Sequence, residues 1–257
     1  MVIKANELNI QDIVFGKLED SSHVKSQKMA WISHGERGDK LIVQSPDFLT
    51  ETYGIPREGP FYQTVKSRAF YKLPFCHERK QYPDDIDYDS VARFYNKLQE
   101  IDKWCGSEDF RLQVFGEKLA GKYEYQPLVR HPEEVEQEMV REEGAAPTNR
   151  FYRPPFTKVR LDLAFDSDKP NFRLFDKSSG ARKEVQLSSF DDVLQHMRFM
   201  TKHRFAIHFS KLYAMKTASG GEKRKYGIIL KAFAVECSNK ANPARESRHQ
   251  DPFEDSD

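Results

Sequence analysis

Four short stretches of this chain set aromatic rings directly beside cations. They are Arg68-Ala69-Phe70-Tyr71-Lys72, Arg150-Phe151-Tyr152-Arg153, Lys211-Leu212-Tyr213-Ala214-Met215-Lys216 and Lys223-Arg224-Lys225-Tyr226. Where water reaches them, rings and cations together suit a ligand that has flat apolar faces and negative charge. An unpaired nucleobase supplies the face, and stacking on an aromatic ring is worth about 1–3 kcal/mol per base. Its phosphate supplies the charge, which Lys and Arg meet with release of counterions. Strand periodicity groups these residues further, because positions two apart share a face. Lys211 falls with Tyr213, and Lys158 falls with Arg160.

The pattern therefore predicts stacking on Tyr152, Tyr213 and Tyr71. It predicts phosphate contacts from Arg150, Arg153, Lys158, Arg160, Lys211 and Lys216, and from a loop carrying Lys223, Arg224 and Lys225. A plainer reading stands beside this one. Phe and Tyr fill β cores, and Lys and Arg guard sheet edges against pairing with other chains.

Other chemistry finds little footing. GGEKRK (220–225) lacks the spaced glycines and the Gly-Lys-Ser/Thr ending of a phosphate-cradling loop. Cys76 and His77 are adjacent, with no second pair at metal-ligand spacing. His203 and His208 sit five apart on a predicted strand, hence on opposite faces. No Gly-x-Ser-x-Gly elbow occurs, Cys105 lies on an amphipathic helix where it packs, and the pair Asp191/Asp192 suits a helix N-terminus. The expectation is a binding protein rather than an enzyme, with no cofactor and no metal.

The elements that must position the clusters are legible in outline. MAWISH (29–34) and DKLIVQSPDF (39–48), split by ERGD, predict a hairpin. SRAFYKLPF (67–75) predicts a strand that Pro74 restricts to limited pairing. In SVARFYNKLQEIDKW (90–104), Val91, Phe94, Leu98 and Ile101 recur at steps of three and four, predicting a helix capped by Ser90 or an aspartate before it. A shorter helix follows over 108–115, ending near Gly116.

From 125 to 149 the chain turns acidic and then small, as a linker or inserted loop does. Beyond it, 157–165 alternates, with Val159, Leu161, Leu163 and Phe165 on the inner side. Short strands follow at 171–176 and 183–187, then a helix capped by Ser189 with Asp192 as its reciprocal partner. A long hairpin closes the module: 204–216, with Phe205, Ile207 and Phe209 inward, and 226–236.

Bulk composition agrees with a soluble chain. Of 257 residues, 38% are hydrophobic and 32% charged, and the net charge is +1. A near-neutral balance argues against coating duplex DNA by charge alone. It permits a local basic patch. No run approaches the ~18 apolar residues of a spanning helix, so no membrane partner is expected. The N-terminus has no signal-peptide pattern, and three widely spaced cysteines suit reduced thiols in an intracellular protein.

Five blocks in order carry a resemblance: DKLIVQSPDFLTETYGIP, DSVARFYNKLQEIDKW, YQPLVR, PPFTKVRLDLAFDSDKPNFRLFD and RFAIHFSKLYAMKTASGGEKRKYGIILKAFAVE. Together they resemble a protein family of nucleocytoplasmic large DNA viruses, with the single-stranded-DNA-binding protein of African swine fever virus as a distant relative. The resemblance implies an OB-like barrel that binds single-stranded DNA without marked sequence preference. It implies work in viral replication, recombination or packaging at a replication site in host cytoplasm or nucleus, or within the virion. The tail's DPFEDSD is similar to the acidic, Phe-bearing ends through which bacterial single-strand-binding proteins recruit partners, which makes replication or virion proteins candidate partners.

The expected class is α+β. An OB-like antiparallel β-barrel or sheet core carries an inserted helical segment and a disordered C-terminal tail. The expected divisions are strands and amphipathic helices over 1–130, an acidic insert over 131–149, an OB-like module over 150–237 and a tail over 238–257. The rival expectation is a virion or scaffold protein whose rings anchor another protein instead of a nucleic acid.

Overall fold

A computed structural model describes residues 2–50, 54–75, 86–132, 154–198, 201–218 and 221–238. Its first part supplies β1 (Val2–Lys4), β2 (Ile13–Phe15), β3 (Glu19–Asp20), β4 (Gln27–His34), β5 (Asp39–Lys40), β6 (Ile42–Leu49), the single turn α1 (Val65–Arg68) and β7 (Phe70–Pro74). Three helices follow, α2 (Tyr88–Cys105), α3 (Glu108–Phe115) and α4 (Glu117–Ala120), and then β8 (Tyr123–Gln126) and β9 (Val129–Arg130). The last part holds β10 (Phe156–Arg160), β11 (Arg173–Asp176), β12 (Lys183–Val185), α5 (Phe190–His196), β13 (Lys202–Met215) and β14 (Arg224–Ser238).

These strands make one mixed, curled sheet, a half-barrel, so the class is α+β as expected. The purely antiparallel sheet is not what forms. β14 runs parallel to β8, β10 and β11, and β1 runs parallel to β6. The reason is topological. β13 and β14 form a long central hairpin, and strands arriving from helices and long connections add to it from either direction.

The first hairpin is also shorter than the sequence suggests. Only Asp39–Lys40 pairs back on β4. Beyond Leu41, β6 moves to the N-terminal half of β13, pairing His208 with Ile42 and Lys202 with Leu49. β4 takes the C-terminal half, pairing Lys211 with Trp31 and Met215 with Gln27. A bulge at Ser210 separates the two halves of β13, and a bulge adds local twist. Strands from the N- and C-terminal parts of the chain thus share one sheet.

One face of the sheet is dry. Phe205, Ile207, Phe209, Leu212, Tyr226, Ile228, Leu230 and Val159 are buried there. α2 buries Val91, Phe94, Leu98, Ile101 and Cys105, the stripe its sequence spacing predicts. Asp87 caps α2 through the Ser90 amide at 3.1 Å, one turn earlier than Ser90 itself. The Tyr226 hydroxyl donates to the Cys105 carbonyl at 2.5 Å and ties β14 to the helix end.

β10 ends at Arg160, five residues short of expectation. The chain then leaves the sheet in a small loop closed by Asn171 N–H to the Asp162 carbonyl at 2.8 Å. Phe165, expected inside, is consequently 88% exposed.

Candidate nucleic-acid interface

The other face of the sheet carries the cations. Directly paired residues on neighbouring strands project from the same side, so the registers locate them. Lys211 pairs with Trp31 of β4 and with Ile229 of β14, and Tyr213 pairs with Met29 and Gly227. One strand further on, Arg160 pairs with Lys231 of β14 and Phe70 of β7, and Lys158 pairs with Lys72. The outer face therefore presents Trp31 on β4, Lys211 and Tyr213 on β13, and Arg160 and Lys158 on β10, with Gly227, Ile229 and Lys231 of β14 between them.

Local chemistry holds these groups in place. Tyr213 lies flat across β14 because residue 227 is glycine: a Cβ there would sit 3.2 Å from the Tyr213 ring and 3.1 Å from the Gln126 carbonyl oxygen. The Tyr213 hydroxyl donates to Gln126 Oε1 at 2.9 Å. Gln126 and Arg130 are themselves set by Asp102 of α2. Its carboxylate accepts Leu128 N–H at 2.7 Å, Val129 N–H at 2.9 Å and the Tyr125 hydroxyl at 2.9 Å. Burial raises the Asp102 pKa, and those three donors oppose the rise.

Between β10, α1 and the 126–130 segment lies a cleft of about 300 Å³. Lys66, Arg130, Lys158, Arg160, Tyr213 and Phe70 line it. The Lys158 ammonium stands 3.6 Å from the Phe70 ring centroid, and Lys72 stands 4.7 Å from that of Phe156. Each is within cation–π range. Lys158 is exposed as a residue, yet its ammonium packs against that ring. Burial and then the charges of Arg130, Lys72 and Arg160 push its pKa down from 10.5 to about 8. Burial, Lys231 and Arg160 also lower Lys211. No carboxylate among the described residues forms an ion pair with Lys66, Arg130, Lys158 or Arg160.

The structure sorts the residues expected from the sequence. Lys158, Arg160, Lys211 and Tyr213 come together on one face. Lys216 is ion-paired with Asp20 at 2.8 Å, Lys225 with Glu124, and Arg224 lies over the Tyr123 ring at 5.7 Å. Lys223 is exposed in the loop before β14. Arg150, Tyr152 and Arg153 lie outside the described residues, as do 133–149 of the acidic insert and 239–257 of the tail.

Tyr71 is a correction. It is fully buried on the core face of β7, opposite Phe70 and Lys72, and its hydroxyl bonds to Thr50 and His203. No base can stack on it.

Sequence reasoning missed Trp31, 60% exposed, and the cleft cations Lys66 and Arg130. Trp31 had a signal: Ala30 and Ile32 are the buried alternates of its strand, which puts Trp31 outside. Lys66 and Arg130 had none, because tertiary packing alone brings α1 and β9 to the cleft. Among the described residues no group of three or more His, Cys, Asp or Glu could hold a metal ion.

Comparison with known proteins adds one match. The chain is 21% identical over 242 residues to the uncharacterized protein R505 of Acanthamoeba polyphaga mimivirus. It is similar to a giant-virus protein. The aligned part is 86% of this chain and 57% of the mimivirus protein, so the chain spans little more than half the length of that relative. No family model matches. No described helix is long and apolar enough to cross a membrane.

Proposed function

We propose that this protein binds single-stranded DNA, without sequence preference, in the replication, recombination or packaging of a large DNA virus genome. The observation that carries the reading is the outer sheet face. Two rings, the exposed Trp31 and the half-buried Tyr213, share that face with Lys211, Arg160 and Lys158, and the last two have no carboxylate partner among the described residues. Bases stack on the rings while phosphates follow the cations. Like charges gathered without counter-charges raise the free energy of the unliganded face, and a polyanion removes that cost.

The recognition is non-enzymatic in this reading and needs no cofactor. The small net charge is compatible with it, because stacking supplies much of the binding energy. An exposed Trp also suits a protein-binding hot spot, which keeps the scaffold reading as the rival.

Titration of labelled oligo-dT and a matched duplex, at low and at physiological salt, separates the two. The proposal expects tight, salt-sensitive binding of the single strand and weaker binding of the duplex. Absence of any oligo-dT binding at low salt abandons the proposal in favour of the protein interface.

A further inference from the structure

The cleft differs in shape from the rest of the outer face. Across β4, β13 and β14 the surface is an open sheet on which a strand can pass in either direction. At β10 it becomes a cup, with α1 on one side and the 126–130 segment on the other. Four cations reach this cup from three elements: Lys66 from α1, Arg130 from β9, and Lys158 and Arg160 from β10. Tyr213, Ile229 and Pro127 give it an apolar side. A volume of about 300 Å³ is at the small end of ligand pockets, enough for one nucleotide and too little for a run of them.

A backbone phosphodiester carries one negative charge. A terminal phosphate monoester carries up to two, since its second pKa is about 6. The denser anion is the better match for four cations that lack carboxylate partners. The crowding of Lys158 by Arg130, Lys72 and Arg160 is relieved most by the ligand with the most charge per phosphorus.

Resting on the single-strand reading, we infer that the cleft is a discrete subsite for the phosphate monoester of one nucleotide, either a strand's phosphorylated end or a free mononucleotide. The phosphate sits among Lys158, Arg160, Arg130 and Lys66, and the base lies against Tyr213. A strand held this way has a fixed end at β10 and runs over the open sheet toward Trp31, so the subsite orients the polynucleotide.

The test uses the full chain and five probes: dTMP, thymidine, and labelled oligo-dT unphosphorylated, 5′-phosphorylated or 3′-phosphorylated. The inference expects saturable dTMP binding and no thymidine binding. It expects one phosphorylated end to bind about tenfold tighter than the unphosphorylated strand, as charge-assisted contacts permit.

Lys158→Ala/Arg160→Ala should abolish both effects, and Lys66→Ala/Arg130→Ala should weaken both about tenfold or more. Lys103→Ala/Lys118→Ala, which removes the same charge from exposed helix positions, should leave both in place. End preference without dTMP binding assigns the subsite to strand ends, and dTMP binding without end preference assigns it to free nucleotides.

Oligo-dT binding that ignores end phosphates, together with no dTMP binding, overturns the subsite and leaves the single-strand reading standing. Saturable dTMP binding without oligo-dT binding supports the subsite and removes the single-strand reading.

Discussion

Two polar assemblies in this molecule face each other through one sheet and follow opposite rules. On the dry side, His203 is fully buried, and both ring nitrogens have partners. Thr50 Oγ1 is 2.8 Å from Nδ1, and Thr201 Oγ1 is 2.9 Å from Nε2. Because the Thr201 hydroxyl donates to the Arg198 carbonyl at 2.6 Å, it accepts from Nε2–H, and in the neutral ring Nδ1 is then the acceptor for a neighbouring hydroxyl. Burial drives the His203 pKa down from 6.5 to about 3. On the wet side, Lys66, Arg130, Lys158 and Arg160 crowd one cleft with no carboxylate partner among the described residues. Satisfied polar groups hold a fold together. Like charges left without counter-ions do not, and their presence points to a partner outside the chain.

That contrast has consequences of graded size. His203→Ala should cost most, about 3–5 kcal/mol, because it opens a cavity and removes the ring nitrogen that the Thr50 and Tyr71 hydroxyls share. Urea denaturation reads the loss. Oligo-dT affinity per folded molecule should not change, and a large change would show that the two sides are coupled.

Lys158→Ala/Arg160→Ala reverses the pattern. Oligo-dT affinity should fall about thirtyfold to a hundred-and-fiftyfold, as expected for two charged phosphate contacts of roughly 1–1.5 kcal/mol each. Thermal stability should stay level or rise, since repulsion is relieved. A marked fall in Tm would place these side chains among the structural groups instead.

Trp31→Ala comes next, with a loss of about 1–3 kcal/mol in binding, one stacked base, and an unaltered salt slope. A flattened slope would mean that Trp31 acts by positioning Lys211.

Proton linkage separates the two sides as well. The folded-state pKa of His203 lies below its ordinary 6.5, so the unfolded chain takes up the proton first. Its contribution to stability is full above pH 6.5 and is lost progressively as pH falls toward about 3. Lys158 titrates near 8. As pH rises through that value the cleft loses a positive charge, so oligo-dT affinity should decline between pH 7 and 9, while the stability cost of charging Lys158 starts to ease above about 8 and is gone only near 10.5. Binding that strengthens with pH over that window contradicts the role given to Lys158.

The smallest effects belong to Lys216→Ala and Lys225→Ala, about threefold or less. Each already has a carboxylate partner, Asp20 and Glu124 respectively, and an exposed paired charge is worth little.

What the sequence shows of all this follows from how local each signal is. α2 was readable because Val91, Phe94, Leu98 and Ile101 keep helical spacing within one segment. The face shared by Lys211 and Tyr213 was readable from strand period two, and the registers confirm it. Tyr71 was misread although the same rule applies: Phe70 and Lys72 share one face of β7 and Tyr71 takes the other. In that cluster, composition outweighed alternation. The departure of β6 from its hairpin was not readable, because β13 offers two successive partners along its length and only the bulge at Ser210 divides them. The cleft was invisible for a related reason. Lys66, Arg130 and Lys158 lie 28 to 92 positions apart in the chain, and Asp102 of α2, by gripping 125–129, is what brings Arg130 in.

The most direct test of the central claim is the salt dependence of oligo-dT affinity for the native chain and for Lys158→Ala/Arg160→Ala. For single strands each neutralised phosphate contributes about 0.7 to the slope of log K against log salt. Two lost contacts should therefore reduce its magnitude by about 1.4, with weaker binding at every salt concentration. Parallel lines of equal slope, or a variant that binds as tightly as the native chain, would contradict the account.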